Sequence, residues 1–335
     1  MGFSRSDYLL FSIEKTRPAV YATAPGKVIL FGEHAVVYGQ PAIAVPVTEI
    51  EARAVVLANP LAPTGEIHID APDIRLNANL SDLPEENPLR SLLICLAERL
   101  GIRSYPSFTL RLTSTIPLAA GLGSGAAVSV AAARSVASFM GHTLSPQEAS
   151  ELAFETEKIY HGSPSGIDNT VIAFEQPIYF IRGVRIETLK TGEPFSLLVG
   201  DTGVKSTTSD VVGNLRQRWQ KNPDLYNSHF EAIGKISRSA RQIIENGSWR
   251  NLGSLMVENH ALLQQLEVSH PMLDHLVQAA LGAGALGAKM SGAGWGGNMI
   301  ALVEQDQISI VEKSLLDAGA LQVFRTNITA YSEEE

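Results

Sequence analysis

The sequence predicts an α+β chain of two lobes, and three observations predict it. The first third is rich in strands. A glycine-rich loop at 121–125 runs into an alanine-rich segment, and the last third is mostly helical around a strand–glycine loop–strand unit. Strands and helices come in blocks, not in the regular βαβ alternation of a parallel doubly wound sheet.

Taken in order, strand-like runs occur at Val20–Ala24, Lys27–Gly32, Ala42–Val47, Glu51–Ala58, Glu66–Asp70 and Ser107–Ser114. One helix interrupts them: Asn87 caps it, Pro88 fits its first position, Leu89, Leu92, Leu93, Leu96 and Leu100 share a face, and Gly101 ends it. After Thr115 the alanine-rich stretch from Ala126 to Met140 reads as a helix stopped by Gly141. A second helix starts at Ser145-Pro146, with Glu148 at capping-box spacing, and runs to about Tyr160. Strands are expected at Pro177–Ile181 and Phe195–Asp201. Helices follow through Phe230, Ile233, Ile236, Ala240, Ile243 and Ile244, then over Leu252–Leu266 and Pro271–Ala280. Strands at Ala288–Ser291 and Asn298–Val303 flank the second glycine-rich loop. The composition shifts near 185–195, so the domains are expected to be 1–190 and 191–335.

Of the 335 residues, 45% are hydrophobic and 18% charged, enough apolar material for a sizeable core. The net charge of −9 gives nothing that attracts a nucleic-acid backbone or an anionic membrane, so an anionic substrate needs local positive charge. One cysteine, Cys95, excludes an internal disulfide framework and a cysteine-based zinc cluster. No apolar run reaches the length of a membrane span, and the opening MGFSRSDYLLF is too short in apolar residues for a signal peptide. A cytoplasmic location is the expectation.

Four stretches could carry chemistry. Gly121-Leu122-Gly123-Ser124-Gly125-Ala126-Ala127 reads either as a tight turn before a buried helix or as a phosphate cradle. Three glycines and a serine ahead of a helix N-terminus favour the cradle. No Gly-Lys-Ser/Thr follows, so it is not a Walker A loop, and no HRD or DFG segment marks a protein kinase. Gly282–Gly287 and Gly292–Gly297 match GxGxxG, but neither opens a βαβ unit. The second stretch, Ala24-Pro25-Gly26-Lys27 with Gly32-Glu33-His34, sets three ionisable groups among glycines; an exposed strand end would explain any one of them. The third, Glu157 with His161-Gly162-Ser163-Pro164-Ser165-Gly166-Ile167-Asp168, carries two carboxylates across a Pro/Gly-rich turn. One could hold Mg²⁺ and the other could take a proton from a hydroxyl, or Asp168 could simply cap a helix. The fourth, Lys289 to Asn298, is a glycine-rich connection between two strands, which a plain hairpin would also explain.

Together these stretches resemble, in order and spacing, the three signature motifs of the GHMP small-molecule kinase superfamily, over roughly residues 20 to 305. APGKVILFGEHAVVYGQPAIAVPV and HGSPSGIDN are most similar to the mevalonate kinase branch. Galactokinases carry an arginine where Lys27 stands, and phosphomevalonate kinases a tyrosine where His34 stands. The resemblance implies an N-terminal ribosomal protein S5-like lobe, a C-terminal ferredoxin-like lobe and a site in the cleft between them. It implies ATP and mevalonate as substrates, Mg²⁺ with the ATP, and a homodimer. By motif match, Lys27 and Asp168 would be catalytic, and Pro117 and Gly121 to Ala127 (Gly121, Leu122, Gly123, Ser124, Gly125, Ala126, Ala127) would bind ATP. Glu157, with Ser124, would hold the metal. Lys27, Glu33, His34, His161, Ser165, Asp168 and Thr208 would line the acceptor side. Ser291, Gly292, Ala293, Gly294 and Gly297 would buttress the nucleotide site. Three positions depart from the family pattern: Gly125 replaces a metal-binding serine, Trp295 a common glycine and Asn298 a common cysteine. Two rival readings are a sister kinase for phosphomevalonate or another hydroxy acid or sugar, and a catalytically silent ligand sensor.

Overall fold

The structure, a computed structural model, describes residues 19–330 apart from 119, 162, 163 and 185, and leaves the side chains of Tyr160 and His161 undescribed. The opening stretch MGFSRSDYLLF therefore lies outside the described residues. Its first two strands are longer than the sequence suggests. β1 (Ala19–Phe31) runs through Pro25-Gly26, and β2 (Ala42–Ala58) runs through Thr48–Ile50. Their antiparallel register slips there: Pro25 faces Glu51 but Gly26 faces Val47. Proline has no N–H for the ladder, and a bulge absorbs the extra residues without ending either strand.

β2 then pairs with β5 (Phe108–Ser114) along its second half and with β6 (Ile178–Phe180) at its start. β3 (Ile67–Ala71), β4 (Leu76–Asn79) and β7 (Glu187–Thr188) complete a seven-stranded sheet, in which β3 and β5 are parallel. Four helices accompany it: α1 (Pro88–Leu100), α2 (Ser124–Phe139), α3 (Pro146–His161) and α4 (Ile167–Phe174). The Asn87 side chain accepts the Leu89 and Arg90 N–H groups at 3.0 and 3.4 Å, capping α1. Ser145 and Glu148 form the capping box of α3, at 2.8 and 3.2 Å. α2 is buried on nearly every face, which its alanines permit, since small side chains let it lie close to β1, β2, α3 and α4.

The second sheet has the order β11–β8–β10–β9 and is antiparallel throughout. Its strands are β8 (Phe195–Asp201), β9 (Gly287–Ser291), β10 (Asn298–Val303) and β11 (Gln322–Ile328). Around it lie α5 (Thr208–Lys221), α6 (Pro223–Glu245), α7 (Leu252–Gln265), α8 (Pro271–Gly282) and α9 (Ile308–Asp317). The sheets meet at the β2 bulge. There Thr326 of β11 accepts the Thr48 N–H at 3.4 Å and donates to Pro46 O at 2.8 Å, and Glu49 accepts the Arg325 N–H. Backbone groups that the bulge takes out of the ladder are thus satisfied by the other lobe. Among the described residues no helix is long and apolar enough to cross a membrane.

Candidate active site

Lys27 lies just past the β1 bulge, opposite Pro46, and its N–H donates to Leu122 O at 2.9 Å. Its side chain, 8% exposed, runs beneath the glycine loop to an ammonium 3.0 Å from Asp168 Oδ2. Gly123 makes room for that passage. It holds φ +78°, and a Cβ there would stand 2.9 Å from Lys27 Cγ and 2.8 Å from Ile172 Cδ1.

Asp168 sits in the first turn of α4. Gly166, at φ +87°, precedes that turn, and Ser165 Oγ accepts the Ile167 N–H at 3.3 Å. Asp168 therefore does not cap its helix: its carboxylate reaches out to Lys27 and is about one-third exposed. Glu157, buried in the last turns of α3, brings Oε1 to 3.3 Å from where a Gly125 Cβ would lie. A clamp holds the two helices at this point. Ser129 Oγ donates to Gly125 O at 3.0 Å and shares a hydrogen bond with Thr156 Oγ1 at 2.8 Å. Lys27, Asp168 and Glu157 thus converge on the loop 121–125 and the N-terminus of α2, where unpaired N–H groups and the helix dipole favour an anion.

Glu33 and His34, expected to line the acceptor side, lie where the first sheet meets the second. Both are buried in the junction with the second sheet, 3% and 5% exposed. Glu33 is bonded to the ammonium of Lys289, itself fully buried on β9, which also donates to Met290 O at 2.6 Å. Burial pushes the Glu33 carboxyl up and the Lys289 ammonium down, and each partner's charge opposes the other's shift. His34 Nε2 donates to Ala293 O at 2.8 Å, which fixes the neutral Nε2–H tautomer, and burial lowers its pKa to about 4. Ser291 both donates to Ile29 O at 2.8 Å and accepts its N–H at 3.1 Å. The glycine loop of the C-terminal sheet is therefore stitched to the Lys27 strand.

Trp295 takes the left-handed φ of 54° that a glycine would hold easily. Its N–H donates to Val268 O at 2.9 Å and its indole N–H to Glu267 O at 3.0 Å, which ties the loop to the turn between α7 and α8. Of the other residues named from the sequence, Pro117 is half-buried ahead of the loop and Ser165 serves the start of α4. Thr208 opens α5 exposed, and its hydroxyl joins no described hydrogen bond. The His161 side chain lies outside the described residues. Sequence reasoning gave no role to Lys289, Ser129 or Thr156; only Lys289 carried a signal, a lone cation between Ala288 and Met290 in an apolar strand.

His260 is a second buried neutral histidine, lowered to about 4 by burial against the raising effect of Asp274. With folded values below the ordinary 6.5, the unfolded chain binds more protons between pH 6.5 and about 4. The contribution of these two histidines to stability is complete above this window and falls as pH drops through it, by up to about 1.4 kcal/mol per pH unit for each. Denaturant unfolding across pH should show that slope, and His34→Gln should reduce it by one proton. An unchanged slope in the variant would mean that His34 is protonated in the fold.

The chain matches the GHMP kinases N terminal domain over residues 87–176 and the GHMP kinases C terminal domain over residues 239–321. It is 37% identical to the mevalonate kinase of Pyrococcus horikoshii, over 94% of this chain and 98% of that one. It is 38% identical to the mevalonate kinase of Pyrococcus furiosus, over 90% and 94%. The crystal structure of L. major mevalonate kinase in complex with R-mevalonate superposes with a TM-score of 0.81 at 27% identity, covering 93% of this chain and 97% of that one. Two matched domains, near-complete coverage and a shared two-sheet architecture agree: the chain belongs to the GHMP kinase family and groups with its mevalonate kinases.

Proposed function

We propose that the chain transfers the γ-phosphoryl group of ATP to the 5-hydroxyl of (R)-mevalonate, giving ADP and 5-phosphomevalonate. The observation that carries the chemistry is the 3.0 Å Lys27–Asp168 pair beside the loop 121–125. The acceptor is read from relatives that are mevalonate kinases over nearly their whole length.

Phosphoryl transfer asks for alignment and for positive charge on the transferring oxygens more than for covalent chemistry. Backbone N–H groups of the glycine loop and the N-terminus of α2 receive the phosphates. The Lys27 ammonium neutralises charge as it develops between donor and acceptor. Asp168 orients the acceptor hydroxyl and takes its proton, and the adjacent ammonium, 3.0 Å away, holds that carboxylate in place.

Mg²⁺ fits this site on its donor chemistry. The buried Glu157 carboxylate faces the head of α2 beside Gly125, and Mg²⁺ needs one or two carboxylates plus phosphate oxygens and water. Glu157, with Ser124 at the first position of α2, would hold it, and when bound it supplies charge neutralisation on the phosphate oxygens.

Gly125 sets the strength of that hold. Gly125→Ser adds a hydroxyl beside Glu157 and is expected to lower the half-saturating Mg²⁺ concentration by about three- to tenfold. Gly125→Ala crowds Oε1 at 3.3 Å without adding a ligand and should raise it. Rates and Mn²⁺ titrations followed by EPR measure both, and equal effects of serine and alanine would remove the hydroxyl from the account.

The assignment itself is tested by ADP release from purified protein with Mg-ATP and a panel of mevalonate, phosphomevalonate, homoserine and galactose. Turnover with mevalonate at least tenfold above the others is expected. Preference for phosphomevalonate would make the chain a sister kinase, and no turnover with any acceptor would make it a ligand sensor.

A further inference from the structure

The loop from Ala120 to Gly123 hangs from two carbonyls, one held by each lobe. Leu122 O accepts the Lys27 N–H at 2.9 Å from the N-terminal sheet. Ala120 O accepts Nδ2 of Asn298 at 2.5 Å from the C-terminal sheet. No peptide bond here is cis. In a trans peptide the C=O and the following N–H point in opposite directions. Anchoring Ala120 O on β10 therefore turns the Gly121 N–H away from β10, and anchoring Leu122 O on β1 turns the Gly123 N–H away from β1. Neither N–H has an acceptor among the described residues. These are donors held out for something the chain itself does not provide.

Asn298 is built to be a rigid strut. It is 3% exposed and opens β10 between Ser291 of β9 and Asp201 of β8. The preceding residue is fixed as well: Gly297 O accepts both the N–H and the hydroxyl of Thr202, at 2.9 and 2.7 Å, and its N–H donates to Val204 O at 2.9 Å. The amide has one sensible orientation, because a flip would set Oδ1 against the Ala120 carbonyl. Oδ1 is buried without a described partner, so the residue's polar work is done by Nδ2 alone.

We propose that Asn298 is a positioning residue for the triphosphate of the nucleotide: from the C-terminal sheet it holds Ala120 so that the Gly121 N–H faces the phosphates. The proposal rests on the reading of 121–127 as the phosphate cradle. Asn298 touches no substrate; it acts through the loop's orientation, so its loss selectively weakens nucleotide binding.

Asn298→Ala tests this through kcat, the KM for each substrate, the calorimetric Kd for an ATP analogue with Mg²⁺, and the unfolding midpoint without ligand. The KM and Kd for nucleotide should rise about tenfold, the worth of one buried hydrogen bond and the order it imposes. The KM for mevalonate should stay within about twofold and kcat within about threefold. Should the alanine variant not fold, Asn298→Ser, whose hydroxyl is too short to reach Ala120, is read the same way. A folded variant with nucleotide Kd within twofold of the parent overturns the proposal, as does an equal rise in both KM values. Failure of the parent protein to release ADP with any acceptor would instead remove the cradle reading beneath it.

Discussion

Asp168→Asn is expected to lower kcat by about 10²–10⁴ while nucleotide affinity stays near that of the parent protein. The substitution keeps the shape of the side chain and takes away its charge, so Lys27 loses its partner at 3.0 Å and, in the proposed reaction, the acceptor hydroxyl loses its proton acceptor. Nucleotide affinity should survive because the proposed cradle consists of backbone N–H groups on the loop 121–125 and the head of α2, not of Asp168. Steady-state kinetics and a calorimetric titration with ADP separate the two quantities. Full turnover in the asparagine variant would take Asp168 out of the chemistry, and a matching loss of ADP affinity would make it a structural residue.

The second large effect concerns stability. Lys289→Met leaves the Glu33 carboxylate buried in the junction between the sheets without the ammonium bonded to it, and only the more weakly acting Lys27 charge remains. Both side chains are essentially inaccessible, 0% and 1% exposed. Removing one member of such a pair costs about 3–5 kcal/mol, most of it the burden of the stranded charge. Glu33→Gln placed on the same background removes that charge and should recover most of the loss. Denaturant unfolding of the two single variants and the double variant measures it. Additive losses would mean that the two groups do not depend on each other, contrary to the geometry.

The sequence and the structure agree best where chemistry or capping is local. Asn87, Pro88 and Gly101 bound α1 as expected, and the capping box at Ser145 starts α3, because these signals act within one turn. Two elements differed for local reasons. Pro25-Gly26 looked like a break in β1 but is a bulge that both strands cross. HGSPSGIDN looked like a turn, yet Ile167–Phe174 is helical, since Gly166 and Ser165 serve as its start. α5, α9, β4, β7 and β11 were not singled out; polar stretches such as Gly213–Gln217 carry little periodicity.

Within the candidate site, Lys27 stood out as a lone cation in a largely apolar stretch, and the loop 121–125 by its closely spaced glycines. The convergence of Lys27 with Asp168 spans 141 positions and that of Glu33 with Lys289 spans 256, distances over which single-sequence patterns say nothing about pairing. Asn298 was visible only as a departure from the family pattern; its bond to Ala120 spans 178 positions.

The proposed reaction needs the phosphates, Lys27, Glu157 and Asp168 gathered around an alcohol beside the loop 121–125. A crystal structure with mevalonate and a non-hydrolysable ATP analogue tests it most directly. The γ-phosphate is expected against Gly123 and the Lys27 ammonium, with the acceptor hydroxyl within hydrogen-bond reach of Asp168. A γ-phosphate bound away from Lys27, or an acceptor whose hydroxyl faces neither Lys27 nor Asp168, would contradict it.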